Sequence, residues 1–169
     1  MKVLIVVASR HGATIEIAEA LAERLRSRAF TVSVETADHA SVADDYGAVI
    51  IGSAVYAGRW MKSARVFVES YAGLLAERPV WLFSSGPLGD DDRDAVPDRT
   101  VHHLTTLSGA LGHHLFAGFI DPDDLNMAER LIVKAVGAPD GDFRDWDDVD
   151  AWADTIADEL DPGLESAAG

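Results

Sequence analysis

Val3-Leu4-Ile5-Val6-Val7-Ala8-Ser9-Arg10-His11-Gly12-Ala13-Thr14-Ile15-Glu16-Ile17 is the stretch that decides how this chain is read. Residues 3–8 are continuously apolar and mostly β-branched, the pattern of a strand buried on both faces in a parallel sheet. From Ala13 the period changes: Ile17, Leu21 and Leu25 fall at helical spacing, with Glu16, Glu19, Glu23, Arg24 and Arg26 toward water. Between the two lies a loop of hydroxyl and small residues with one Arg, one His and one Gly. A strand that runs through such a loop into a helix presents orphan N–H groups and hydroxyls together, which is an anion site. It is not a Walker loop, because no Gly-Lys-Ser/Thr follows, and it lacks the G-x-G of a dinucleotide fingerprint. A phospho-acceptor receiver would need acidic residues after strand one and an Asp closing strand three. Those places hold Ser9-Arg10 and Gly52-Ser53.

The rest of the chain repeats the alternation. Strands are expected at residues 30–35, 48–52, 79–84 and 114–120, and helices at 13–28, 61–76, 96–111, 125–136 and 146–160. Asp145 is the expected N-cap of the last helix, and Trp146 and Trp152 its expected core anchors. Five strands alternating with helices predict an α/β fold, a parallel sheet with helices on both faces, because parallel neighbours need crossover connections. Ligands of such sheets bind beyond the carboxyl ends of the strands, where the strand order reverses. The loops to watch are therefore 9–14, 53–59 and 84–90. One domain over residues 1–160 and a flexible acidic tail over 161–169 are expected.

Composition narrows the function. The chain has 169 residues, no cysteine, and 14 Lys and Arg against 29 Asp and Glu. Of the net charge of −15, −12 falls on residues 121–169. That field opposes nucleic acid and anionic lipid, and either solubilises the chain or offers a face to a basic partner. The absence of cysteine excludes disulfides, thiolate metal sites and cysteine nucleophiles. No apolar run approaches the ~18 residues of a membrane span, and a cytoplasmic protein is expected. The doublets His102-His103 and His113-His114 and the run Asp90-Asp91-Asp92 lack metal-ligand spacing, so no metal site is expected.

The opening stretch resembles the flavodoxin FMN-phosphate signature: hydroxyl, two free, small, one free, Thr, three free, Ala, two free, aliphatic. Ser9, Gly12, Thr14, Ala18 and Leu21 meet it in register, while Val7 stands where the family usually has an aromatic. Within that family the Ser9-Arg10-x-Gly12-x-Thr14 loop is similar to the quinone-dependent protoporphyrinogen IX oxidase (dehydrogenase) branch. So are residues 51–58, Ala117-Gly118 and Arg144-Asp145-Trp146. The resemblance implies a flavodoxin-like three-layer sandwich with five parallel strands in the order 2-1-3-4-5. It implies FMN as cofactor, its phosphate cradled by Ser9, Arg10, His11, Gly12, Ala13 and Thr14. The ring would be flanked by Ser53, Ala54, Val55, Tyr56, Ala57 and Gly58 on one side, and by Ser85, Gly86, Pro87, Leu88 and Gly89 on the other.

Arg10 either contacts the phosphate or points to solvent, and His11 reads as a solvated loop residue. Tyr56 is the expected stacking residue, with Trp60 the other candidate. The third loop has no aromatic, so one ring face should stay open to a substrate. Three functions follow: an FMN oxidoreductase acting between a tetrapyrrole and a quinone, a soluble electron carrier for a basic redox partner, or a flavin-free interaction module. Residues 121–130 are shorter and more acidic than the basic, aromatic segment of the membrane-associated members, which opposes contact with a bilayer and favours the carrier. No catalytic residue follows from the sequence.

Overall fold

The computed structural model describes residues 1–42, 44–56, 58–86, 98–120, 127 and 141–161. β1 (Lys2–Ala8) leads into α1 (Ala13–Ser27), then β2 (Thr31–Thr36) and β3 (Ala48–Tyr56). A short β4 (Arg59–Trp60) precedes α2 (Lys62–Leu75), and β5 (Val80–Gly86), α3 (Asp98–Ser108) and β6 (Gly112–Ala117) follow. β7 (Phe119–Ile120), β8 (Gly141–Asp142) and α4 (Trp146–Leu160) complete the described elements. The parallel sheet has the order β2-β1-β3-β5-β6, with β4 hairpinned onto β3. Without β4, which is not one of the parallel strands, this is the expected order 2-1-3-4-5.

Alternate residues of each strand feed two separate cores, which is why the central strands read as unbroken apolar runs. Val3, Ile5 and Val7 pack with Ile17, Leu21 and Leu25 of α1 and with Val149, Ala153 and Ile156 of α4. Leu4 and Val6 pack with Ala64, Phe67 and Val68 of α2 and with Leu104 of α3. Between β3 and β5, Gly52 leaves the space that the Phe83 ring occupies. Asp145 caps α4 as expected: its carboxylate accepts from the N–H groups of Asp147 and Asp148 at 3.1 and 3.2 Å.

Five expectations need correction. β3 does not end at Gly52 but runs to Tyr56, because Ser53 pairs with β1, Ala54 with β5, and Val55 and Tyr56 with β4. Likewise Ser85 and Gly86 belong to β5, since β6 supplies Phe116 and Ala117 as their partners. The fifth parallel strand stops at Ala117: its neighbour Gly86 is the last residue of β5, so Phe119 and Ile120 pair with Asp142 and Gly141 instead. Trp146 is no core anchor. It is 43% exposed and lies under the Arg144 guanidinium, 4.7 Å from its ring centre, whereas Trp152 does pack against the core beside Phe83, Phe116 and His114. Leu111, expected on the inner side of the third helix, lies beyond its end and is exposed. The helix expected at 125–136 and the tail from residue 162 onward lie outside the described residues.

Part of the C-terminal acidity is neutralised inside the fold. Asp154 accepts from both Arg24 and Arg28 of α1, at 2.7 to 3.0 Å, and Asp158 pairs with Arg28. Asp142 and Glu16 pair with Arg144, whose guanidinium charge is held on more firmly by the Asp142 hydrogen bond. Among the described residues no helix is long and apolar enough to cross a membrane.

Candidate functional site

The strand order reverses between β1 and β3, so the loop after β1, the β3–β4 hairpin and the end of β5 meet at one rim of the sheet. Gly12 takes a left-handed conformation (φ 87°) as the N-cap residue of α1, and space above it is open. Ser9 Oγ accepts the Gly12 N–H at 3.2 Å, which closes the turn. The first intrahelical bond runs from Glu16 N to Gly12 O, and no side chain caps the helix. The N–H groups of Ala13, Thr14 and Ile15 therefore lack intrahelical partners. Thr14 is buried, yet its hydroxyl makes no hydrogen bond among the described residues. Free N–H groups at a helix N-terminus beside an open glycine turn favour an anion, and the loop itself holds no carboxylate to oppose one.

Tyr56 ends β3 at the same rim, half-buried. The Arg10 guanidinium lies over its ring at 5.3 Å, and the His11 ring meets it edge-on at 6.3 Å. Gly58, with φ 70°, turns the chain back so that Arg59 pairs with Tyr56 and Trp60 with Val55. Trp60 is thereby buried, and its indole N–H donates to Ser84 Oγ at 2.8 Å. Of the two stacking candidates, only Tyr56 stands at the rim. Ser53 and Val55 face inward: Ser53 Oγ accepts the Met61 N–H at 2.9 Å and donates to Ala54 O at 2.8 Å, and Val55 packs against the α2 core. Ala54 is buried beside Ser85, and Ser85 and Gly86 close β5. Ala57, Pro87, Leu88 and Gly89 lie outside the described residues.

A buried polar chain beneath the rim was not foreseen. Ser84 Oγ also lies 2.8 Å from His113 Nε2. Burial, reinforced by neighbouring His114, pushes the His113 pKa down to about 4, so its ring is neutral near pH 7. Indole is a donor only, so the serine hydroxyl accepts from Trp60, and the same oxygen shares a second hydrogen bond with the His113 ring. Only the pairing of β5 with β6 brings Ser84 and His113 together, and nothing in the spacing of the two along the chain announces it. The second doublet member, His114, points to the other face and pairs with Asp148 at 2.9 Å. His102 and His103 are exposed on α3. Among the described residues no cluster of three metal-ligating side chains occurs.

The family model described as a flavodoxin domain matches residues 4–147, and the chain belongs to that family. No curated protein matches it. Among solved structures it is similar to rubredoxin oxygen:oxidoreductase of Desulfovibrio gigas, with a TM-score of 0.64 and 20% identity. That likeness covers 96% of this chain but only 37% of the other, so the chain spans little more than a third of that protein. It is also similar to a point mutant of flavodoxin from Pseudomonas aeruginosa, with a TM-score of 0.58, 14% identity, and 93% and 97% of the two chains covered. Oxidised flavodoxin 1 of Bacillus cereus gives 0.56 and 17%, over 82% of this chain and 99% of that one. At these identities the likeness speaks for the fold.

Proposed function

We propose that the chain is an FMN-binding redox protein whose phosphate site is the turn from Ser9 to Thr14. The observation that supports this reading is the uncapped N-terminus of α1, where the Thr14 hydroxyl and the first helical N–H groups have no partner among the described residues, beside an open glycine turn. The Ser9 and Thr14 hydroxyls and the N–H groups of residues 13–15 hold the phosphate dianion by directed hydrogen bonds. Arg10 lies over Tyr56 and keeps that ring at the rim, where it lines one side of the isoalloxazine. Ser53 holds Met61 and Ser84 holds Trp60, so the hairpin that carries Tyr56 is anchored from beneath. Ser85 and Gly86, with Pro87, Leu88 and Gly89, flank the other side. When bound, FMN supplies one- and two-electron chemistry, while the protein sets its exposure and surroundings.

Within this reading the loop motifs support a small-molecule oxidoreductase similar to the quinone-dependent protoporphyrinogen IX dehydrogenases. The acidic residues left exposed on α4, Asp147 and Asp150 among them, support a second reading: an electron carrier that docks a basic redox partner. Titrating the chain with FMN and following flavin fluorescence tests both. Saturable one-to-one quenching is expected. A flavin that stays fully fluorescent would remove both readings and leave a flavin-free interaction module. With FMN bound, oxidation of protoporphyrinogen by a soluble quinone separates the enzyme from the carrier.

A further inference from the structure

On the α2 side of the hairpin, Arg10, Arg59, Lys62 and Arg65 line a cleft of about 610 Å³, together with Tyr56 and, among the described residues, a single carboxylate, Asp38. Even with Arg10 set aside, three cations against one anion among the described residues are out of character in a chain of net charge −15. Several cations elsewhere are matched: Lys2 pairs with Asp45, Arg24 and Arg28 with Asp154, and Arg144 with Asp142 and Glu16. Arg59, Lys62 and Arg65 form no ion pair among the described residues. The Nε of Arg65 is buried and has no hydrogen-bond partner among them either.

The local sequence also runs against helix electrostatics. α4 opens with Asp147 and Asp148 behind an Asp cap, as the helix dipole favours. α2 opens with Lys62, has no acidic residue in its first turn, and has no side-chain cap. Cations crowded at the positive end of a helix destabilise one another and the helix unless an anion joins them. Guanidinium forks match carboxylate and phosphate oxygens two at a time. A concave volume of this size holds one small molecule, whereas an acidic protein would need a far broader contact surface.

We propose that this cleft binds a small molecule carrying two or more carboxylate or phosphate groups, seated against Tyr56. That the molecule lies beside a flavin rests on the FMN reading above; that it binds does not. The test is calorimetric titration of the full chain with benzene-1,2,4,5-tetracarboxylate and with pyrophosphate at low ionic strength, with and without FMN. Saturable one-to-one binding is expected for at least one of them, weakening as salt is added. The tighter of the two identifies the group the cleft prefers, and with FMN present the phosphate loop no longer competes for pyrophosphate. Lys62→Gln and Arg65→Gln should each weaken binding about tenfold or more, by loss of a charge-assisted contact. Lys62 is exposed, so its replacement leaves the core intact and a loss of binding there is not unfolding. Thr14→Val should leave the tetracarboxylate affinity unchanged. Failure of both anions to bind, or binding that ignores Lys62 and Arg65, overturns the proposal. Tetracarboxylate binding by a chain that fails to quench FMN upholds the cleft and overturns the flavin reading alone.

Discussion

Replacing Gly52 with alanine tests how closely β3 and β5 are packed beneath the candidate site. An added Cβ would lie 1.9 Å from Cζ of Phe83 and 2.2 and 2.5 Å from its Cε atoms, against an ordinary contact of 3.4 Å or more. Relief therefore needs the ring or the strands to move by about 1.5 Å. Phe83 has little room: it is fully buried, with Phe116 and Trp152 edge-on at 5.7 and 6.0 Å. Overpacking of this kind costs about 1–3 kcal/mol, and a methyl at a strand glycine recovers roughly 0.5–1 kcal/mol through the unfolded chain. Phe83 cannot yield, so the upper part of the range applies and the net loss is about 2 kcal/mol. With a urea slope of about 2 kcal/mol per molar, the unfolding midpoint should fall by about 1 M. The same change in a Phe83→Leu background should cost less than half as much, because the clashing ring atoms are gone. An equal midpoint shift in both backgrounds, or none in Gly52→Ala alone, would refute the reasoning.

Thr14→Val removes one donor to a charged phosphate and should weaken FMN about tenfold or more in fluorescence titrations; unchanged affinity would show that the turn does not hold the phosphate. The neutral state of His113 makes stability depend on pH. Its folded pKa is about 4 against an ordinary 6.5, so as pH falls below 6.5 the unfolded chain takes the proton first. The stabilisation is complete above 6.5 and is lost between 6.5 and 4. It amounts to about 2 kcal/mol after allowing for the partial exposure of the ring. Urea midpoints measured at pH 7 and 4.5 should therefore differ less in His113→Gln than in the parent chain, and an identical difference would contradict this account. Asp145→Ala deprives two N–H groups of their acceptor and should cost about 1 kcal/mol of stability, read as a lower thermal midpoint.

Much of the fold was legible along the chain. The period of residues 3–8 against that of Ile17, Leu21 and Leu25 identified β1 and α1, and those residues do fall in the two core clusters. The Asp145 cap was legible because capping is a local event, settled within three residues. Strand ends were not. Ser53, Ser85 and Gly86 look like loop residues, and they are strand only because neighbouring strands extend far enough to pair with them. Trp146 shows the same limit, since the Arg144 charge that holds it at the surface is itself placed by Asp142 and Glu16.

The sequence by itself determined the layer order, the glycine turn between β1 and α1 and the cap of α4, because hydrophobic period, turn glycines and helix caps act over a few residues. The tertiary structure alone decided what those parts face. It buried Trp60 on Ser84 and left Tyr56 at the rim, joined His113 to Ser84 across two strands, and gathered Arg10, Arg59, Lys62 and Arg65 around one cleft. Such meetings depend on register and crossover, which bring together residues far apart in the chain and which no local pattern encodes.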